Sequence, residues 1–189
     1  MGMHSRAALE RMGFAALGQD VQVSELASLH GVERIALGDR ARIDDFCVLS
    51  AGPGGITVGK HVHIAVFCSL MGQGKITLDD FSGMASRVAI YSSNDDYSGK
   101  FMTNPTVPGE FTGVEIAPVF LGRHAIVGTG SVILPGVTLE EGVAIGALSL
   151  VNRDCAAFGI YAGRPARRLG DRSRQLLEVE ARFLASQPR

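Results

Sequence analysis

Three groups of side chains in this 189-residue chain have chemistry to offer. The histidines are His4, His30, His61, His63 and His124. A neutral imidazole titrates close to pH 7, so it suits general-base removal of a proton from a hydroxyl or an amine. The polar run Ser93-Asn94-Asp95-Asp96-Tyr97-Ser98 brings two carboxylates. An aspartate with an ordinary pKa of about 3.9 is a poor base alone, yet it can hold a histidine tautomer and stabilise the imidazolium. Arg153, Arg164, Arg167 and Arg168 gather towards the C-terminus. Arginine donates in a planar fork that fits phosphate; a solvated terminus is the plain alternative. The three cysteines cannot all pair.

What must position these groups is a repeat. Residues 121 to 151 divide every six residues into LGRHAI, VGTGSV, ILPGVT, LEEGVA and IGALSL, with a sixth piece opening at Val151. Each piece begins with Leu, Ile or Val, and the fifth position is always small or β-branched. A period of six is neither helical nor a simple strand alternation. It predicts a parallel β-helix in which each hexamer makes one flat face of a prism. First and fifth positions point inward; third and fourth turn the corner, where unusual backbone angles are needed.

Upstream, the same register runs through LGDRAR-IDDFCV, VGKHVH-IAVFCS and LDDFSG-MASRVA, starting at Leu37, Val58 and Leu78. The spacings of 21 and 20 residues exceed the 18 of a perfect coil, so AGPGG and MGQGK are corner insertions. Cys47 and Cys68 fall at the inward fifth position one coil apart, a stacked column of small core residues. Cys155 follows the last clear repeat and has no histidine beside it. His61 and His124 fall at the corner position; His63 precedes an inward Ile64 and so points outward.

Residues 91 to 118 have no six-residue period and are rich in Ser, Asn, Gly and Pro. A loop this long within a compact domain is usually functional. Residues 5 to 13 suit a short helix with Ala8, Leu9 and Met12 on one side. Phe14 to His30 reads as an irregular first coil capping the prism. Residues 171 to 187 carry Leu176, Leu177, Val179 and Phe183 at helical spacing, a helix expected to cover the prism end or a neighbour. The domain reading is therefore 1–170 for the β-helix, with 91–118 protruding, and 171–189 for the C-terminal helix and tail.

A formal charge of −1 and a pI near 6.5 argue against a nucleic-acid surface. With 24 glycines and no Trp, the composition fits a narrow prism with many corners. No secretory signal or membrane span is visible, which predicts a cytoplasmic protein with reduced thiols.

The repeat, together with Val151-Asn152-Arg153-Asp154 and Gly163-Arg164-Pro165-Ala166-Arg167, resembles the hexapeptide-repeat acyltransferases. The likeness covers residues 35 to 170 and is nearest to the sugar O- and N-acetyltransferases of the galactoside, maltose and surface-polysaccharide types. It implies a left-handed parallel β-helix, an all-β solenoid, despite the usual right-handed crossover. It implies acetyl-CoA as donor, a sugar or nucleotide-sugar acceptor, no metal, and a homotrimer with the donor between subunits. It places CoA contacts at Gly128, Thr129, Ala147, Asn152, Arg153 and Arg167. A further basic position of the family is Gly170 here.

The family's general-base histidine would stand in the long loop at Asp95, and residues 91 to 118 hold no histidine. Its outward register makes His63 the replacement base, with Asp95 or Asp96 as its partner. Asn94, Tyr97 and Ser98 would shape the acceptor pocket. The acceptor would attack the thioester directly. Two other readings stand beside this one. A γ-carbonic-anhydrase-like site would use His61, His63 and His124 on zinc. A non-catalytic prism scaffold would account for the missing loop histidine. O- against N-transfer is open.

Overall fold

The computed structural model describes residues 2–187. Strands of two to five residues succeed one another around three parallel sheets, ordered so that each strand pairs with its equivalents one coil away. The first sheet runs from Ala16–Leu17 to Thr138–Leu139. The second runs from Gln22–Val23 to Ala144–Ile145 and on into Gly159–Gly163. The third runs from Ser28–His30 to Leu150–Val151. Parallel pairing in steps of one coil, as in Ile56 opposite Ile76 and Ile76 opposite Val119, makes the molecule a parallel β-solenoid.

The six-residue register accounts for the core. First-position residues such as Leu37, Ile64, Leu78, Val127 and Leu139 are buried, as are fifth-position Cys47, Cys68, Val88, Ser131 and Ser149. Each large aliphatic side chain removed from water contributes about 1.5–3 kcal/mol. The cysteine column is as the spacing predicts: the Cys47 and Cys68 thiols donate to the carbonyls of Ala65 and Ala85 at 3.0 and 3.1 Å. The neighbouring Cys47 thiol and burial push the Cys68 thiol above its usual range. Burial raises the Cys155 thiol to about 11.

The corners carry an unexpected feature. The fourth position takes the left-handed backbone even where it is not glycine: Arg40, His61, Phe81, His124, Phe46, Phe67 and Arg87 all have φ between 55 and 63°. That conformation costs a side-chain-bearing residue roughly 1–2 kcal/mol. Stacking down the corners, at about 0.5–1.5 kcal/mol per ring pair, offsets it. His61 and Phe81 stack at 5.0 Å, Phe81 and His124 at 5.2 Å, and Phe46 and Phe67 at 5.0 Å. At the second position, glycine is required by crowding between coils. A Cβ on Gly128 would lie 2.5 Å from the Ala147 nitrogen.

Three local expectations change. The first coil is regular, its strands in register with the second coil at Ala16–Ala36, Gln22–Arg42 and Ser28–Val48. Capping falls instead to helix α1, Arg6–Arg11, which buries Leu9 and has the Ser5 hydroxyl accepting from the Ala8 N–H. The C-terminal helix α2, Gln175–Ala185, covers neither end of the prism. It lies along the corner between the first and second sheets, with Phe183 edge-on to His61 and Phe81. Glu180, almost fully buried, accepts from Arg123 and from His124 at 2.9 Å. The segment after Gly163 turns back as strand Ala166–Asp171, antiparallel to Gly159–Gly163. Among the described residues, no helix is long and apolar enough to cross a membrane.

Candidate active site

His63 stands on the outer face of the second sheet, in the strand His63–Ile64. The alternation that buries Ile64 turns His63 outward, with its side chain about half exposed. Its Nε2 lies 2.8 Å from Oδ2 of Asp44. Asp44 is nearly buried at the foot of the next corner, and its Oδ1 accepts from the Arg42 Nε at 2.7 Å. Burial alone would raise the Asp44 pKa, but the hydrogen bonds from Arg42 and His63 outweigh it and hold the carboxyl below its ordinary value. Asp44 is therefore an ionised acceptor. It accepts from Nε2–H and leaves the Nδ1 lone pair to take up a proton, the tautomer a general base needs.

The expected partners, Asp95 and Asp96, are not joined to His63. The Asp96 carboxylate accepts from the N–H groups of Ser98, Lys100 and Phe101. A hydrogen bond from the Ser98 side chain leads in holding its pKa down. It closes a turn inside the loop. Asn94 pairs with Glu115 across the antiparallel stem Ser93–Asn94 and Glu115–Ile116. Asp95 shares a cleft of about 240 Å³ with Asn94, Gln73, Asn104, Pro105 and Val114. Tyr97 is 87% exposed, and the Ser98 hydroxyl lies 3.3 Å from the Lys100 N–H. The reason is topological. The loop leaves the prism after strand Ala89–Tyr91 of the third sheet and returns at Val119–Leu121 of the first. It therefore projects from the corner between those sheets, opposite the face that carries His63.

The residues expected to meet the donor fall at two corners: Gly128, Thr129 and Ala147 between the second and third sheets, Asn152 and Arg153 between the third and the first. Thr129 lies in the same cleft as His63, one of about 360 Å³ that also includes Gly83, Ala85, Ser86 and Ile126. Gly128 and Ala147 are in contact at the next coil, where the Leu148 N–H donates to the Thr129 carbonyl at 2.8 Å. Asn152, Arg153 and Arg167 line a separate cleft of about 210 Å³ with Arg168 and Tyr161. In the second sheet, His63 is followed coil by coil by Gly83, Ile126, Ala144 and Ile160. At about 4.8 Å per coil, those steps put the arginine cleft roughly 19 Å along the prism from the imidazole.

His61 and His124 are occupied in the stacked corner column under α2, so the zinc reading loses the convergence it needs. Asp44 is the residue that sequence reasoning missed. The signal was present: a coil of 21 residues puts Arg42 directly beside His63, and Asp44 two residues on.

No protein-family model matches the chain. It is 50% identical over 178 residues, 94% of its own length and 93% of the relative's, to the dTDP-4-amino-4,6-dideoxy-D-glucose acyltransferase of Escherichia coli. Among solved structures it is similar to AntD, an N-acyltransferase from Bacillus cereus, in complex with dTDP and 3-hydroxybutyryl-CoA. The identity is 38%, the TM-score 0.94, and 98% of each chain is covered. A variant of AntD in complex with dTDP-4-amino-4,6-dideoxyglucose and coenzyme A gives a TM-score of 0.95 at 38% identity, over 98% of this chain and 99% of that one.

Proposed function

This chain belongs to the hexapeptide-repeat sugar acyltransferases, and from that premise we propose that it transfers an acyl group from a coenzyme A thioester to the amino group of a dTDP-linked 4-amino-4,6-dideoxy sugar. The observation that carries the catalytic reading is the His63–Asp44 pair, 2.8 Å apart, in a cleft shared with Thr129.

The sugar nitrogen attacks the thioester carbonyl and forms a C–N bond. His63 Nδ1 accepts the proton that the nitrogen sheds. Asp44 keeps Nε2–H in place and stabilises the imidazolium. The C–S bond breaks, and the proton passes from His63 to the departing thiolate to give CoA-SH. Asn152, Arg153 and Arg167 hold the anionic end of the donor; backbone at Gly128, Thr129 and Ala147 guides its arm down the corner. No covalent enzyme intermediate is needed, so neither Cys47 nor Cys68 has a part.

The acceptor side is completed by a second copy of the chain. Asn94, Asp95, Tyr97 and Ser98 stand on a loop that faces away from the same chain's His63, and a three-fold homotrimer would bring one copy's loop to the next copy's cleft. Exposed Tyr97, Phe101 and Met102 on the loop, with Phe46 and Phe67 on the corner beside the His63 face, suit such a contact. The β-helix then carries the chemistry, and α2 clasps one corner. A coenzyme A donor and a nucleotide-linked acceptor suit a cytoplasmic reaction. The scaffold reading has no use for the His63–Asp44 pair.

The test is CoA-SH release with acetyl-CoA or 3-hydroxybutyryl-CoA and dTDP-4-amino-4,6-dideoxyglucose, with the product weighed by mass spectrometry. An amide of the amino sugar is expected. CoA-SH release that does not depend on the amino sugar would overturn the reading.

A further inference from the structure

Gly83 interrupts the outward column of the second sheet. It is paired with His63 on one side and Ile126 on the other. Met84 is the inward residue of its strand and is buried. Many glycines of this chain are held by crowding or by a left-handed backbone, but Gly83 is held by neither. A Cβ there would meet nothing closer than the His63 carbonyl oxygen at 3.9 Å, and its φ lies outside the left-handed region. Glycine also weakens a strand, since it has no side chain to pack. Its one structural effect is to leave a notch between an imidazole and an isoleucine. That notch is the floor of the 360 Å³ cleft in which His63, Ala85, Ile126 and Thr129 meet.

We infer that the notch at Gly83 receives the acyl chain of the thioester and sets the length of chain that is transferred. The inference rests on the proposed reaction. The thioester carbonyl has to lie near His63, where the attacking nitrogen loses its proton, and at the end of an arm that comes down the corner past Thr129. What extends beyond that carbonyl is the acyl chain, and the space beyond is the notch. Ile126, half exposed, and Ala85 give the notch apolar neighbours, while the polar side chains of His63, Ser86 and Thr129 lie in the same cleft. Gln73, Asn94 and Asn104 line the loop cleft with amides that suit a sugar's hydroxyls. A notch one side chain deep admits a short chain and closes when a side chain is restored.

The experiment compares Gly83→Ala and Gly83→Val with the unaltered protein. Each is assayed with acetyl-, propionyl-, butyryl- and 3-hydroxybutyryl-CoA at saturating dTDP-4-amino-4,6-dideoxyglucose. The quantity read is the ratio of kcat/KM for the four-carbon donors to that for acetyl-CoA. One methylene in a fitted apolar pocket is worth about 10- to 200-fold. The ratio is expected to fall about tenfold or more in Gly83→Val and by less in Gly83→Ala, with the KM for the amino sugar unmoved. An added Cβ has room, and valine favours a strand; thermal melting checks folding, and Gly83→Ala decides alone if Gly83→Val does not fold. A ratio unchanged in both variants overturns the assignment. So does a loss that is equal for all donors and appears in the KM of the amino sugar, which would put the acceptor in the notch. If the unaltered protein transfers none of the four acyl groups, the proposed reaction itself fails, and the notch assignment falls with it.

Discussion

Oδ2 of Asp44 lies 2.8 Å from Nε2 of His63, although the two residues are 19 apart in sequence and on successive coils. The nearly buried, ionised carboxylate can only accept from Nε2, so it orients the ring and chooses its tautomer. The substitution Asp44→Asn removes the charge that stabilises the imidazolium. The kcat for acyl transfer should fall roughly 10²-fold or more, with little change in the KM for the CoA thioester. Because Asp44 acts through His63, the double variant Asp44→Asn/His63→Asn should be scarcely worse than His63→Asn. Additive losses in steady-state kinetics would show that Asp44 serves structure alone.

The clasp of α2 should be sensitive to acid. Burial would raise the Glu180 pKa, yet the hydrogen bonds from His124 and Arg123 prevail and hold it below the ordinary value. A carboxyl with a depressed folded-state pKa adds stability above its unfolded pKa, about 4.3 for Glu, and loses it as pH falls through the folded value. Glu180→Gln should therefore lower Tm at pH 7, by a loss of about 1–2 kcal/mol given the half-exposed Arg123. The gap between variant and parent should narrow below about pH 4. Scanning calorimetry at the two pH values measures it.

The arginine cleft should answer to salt and to charge removal. Arg153→Ala and Arg167→Ala are each expected to raise the KM for the CoA thioester by about tenfold, a loss of about 1.4 kcal/mol of charge-assisted bonding. The kcat and the KM for the amino sugar should stay near the parent values. Raising ionic strength should shrink the effect, since both side chains are exposed. Initial rates over a range of donor concentrations suffice.

The buried thiols should be silent in catalysis. Cys47→Ala removes an Sγ from a filled column and should cost about 1 kcal/mol of stability, leaving kcat within about twofold. Reaction of native protein with a thiol reagent should be slow at all three cysteines, which are buried. Denaturant melts and thiol titration check both statements.

The core was legible because the solenoid repeats one local rule: Leu37, Val58, Leu78 and Leu121 each declare a coil, and the inward place of Cys47 and Cys68 follows by counting. The outward turn of His63 came from the same count. Asp44 is hidden because the ladder brings together residues about 20 apart, whereas Asp95 and Asp96 stand out in the long stretch that breaks the repeat. Those two lie across the prism, a relation that depends on which corner the loop leaves and not on any local pattern. The position of α2 was equally hidden. Leu176, Val179 and Phe183 announce an apolar face, but only the stacked rings of His61, Phe81 and His124 decide what that face covers.

The central claim is that His63 takes the proton from the attacking nitrogen. His63→Asn, assayed with saturating acyl-CoA and dTDP-4-amino-4,6-dideoxyglucose, tests it most directly. The expected kcat is lower by about 10²- to 10⁴-fold, with donor binding by calorimetry unchanged. A variant that binds the donor and turns over at the parent rate would contradict it.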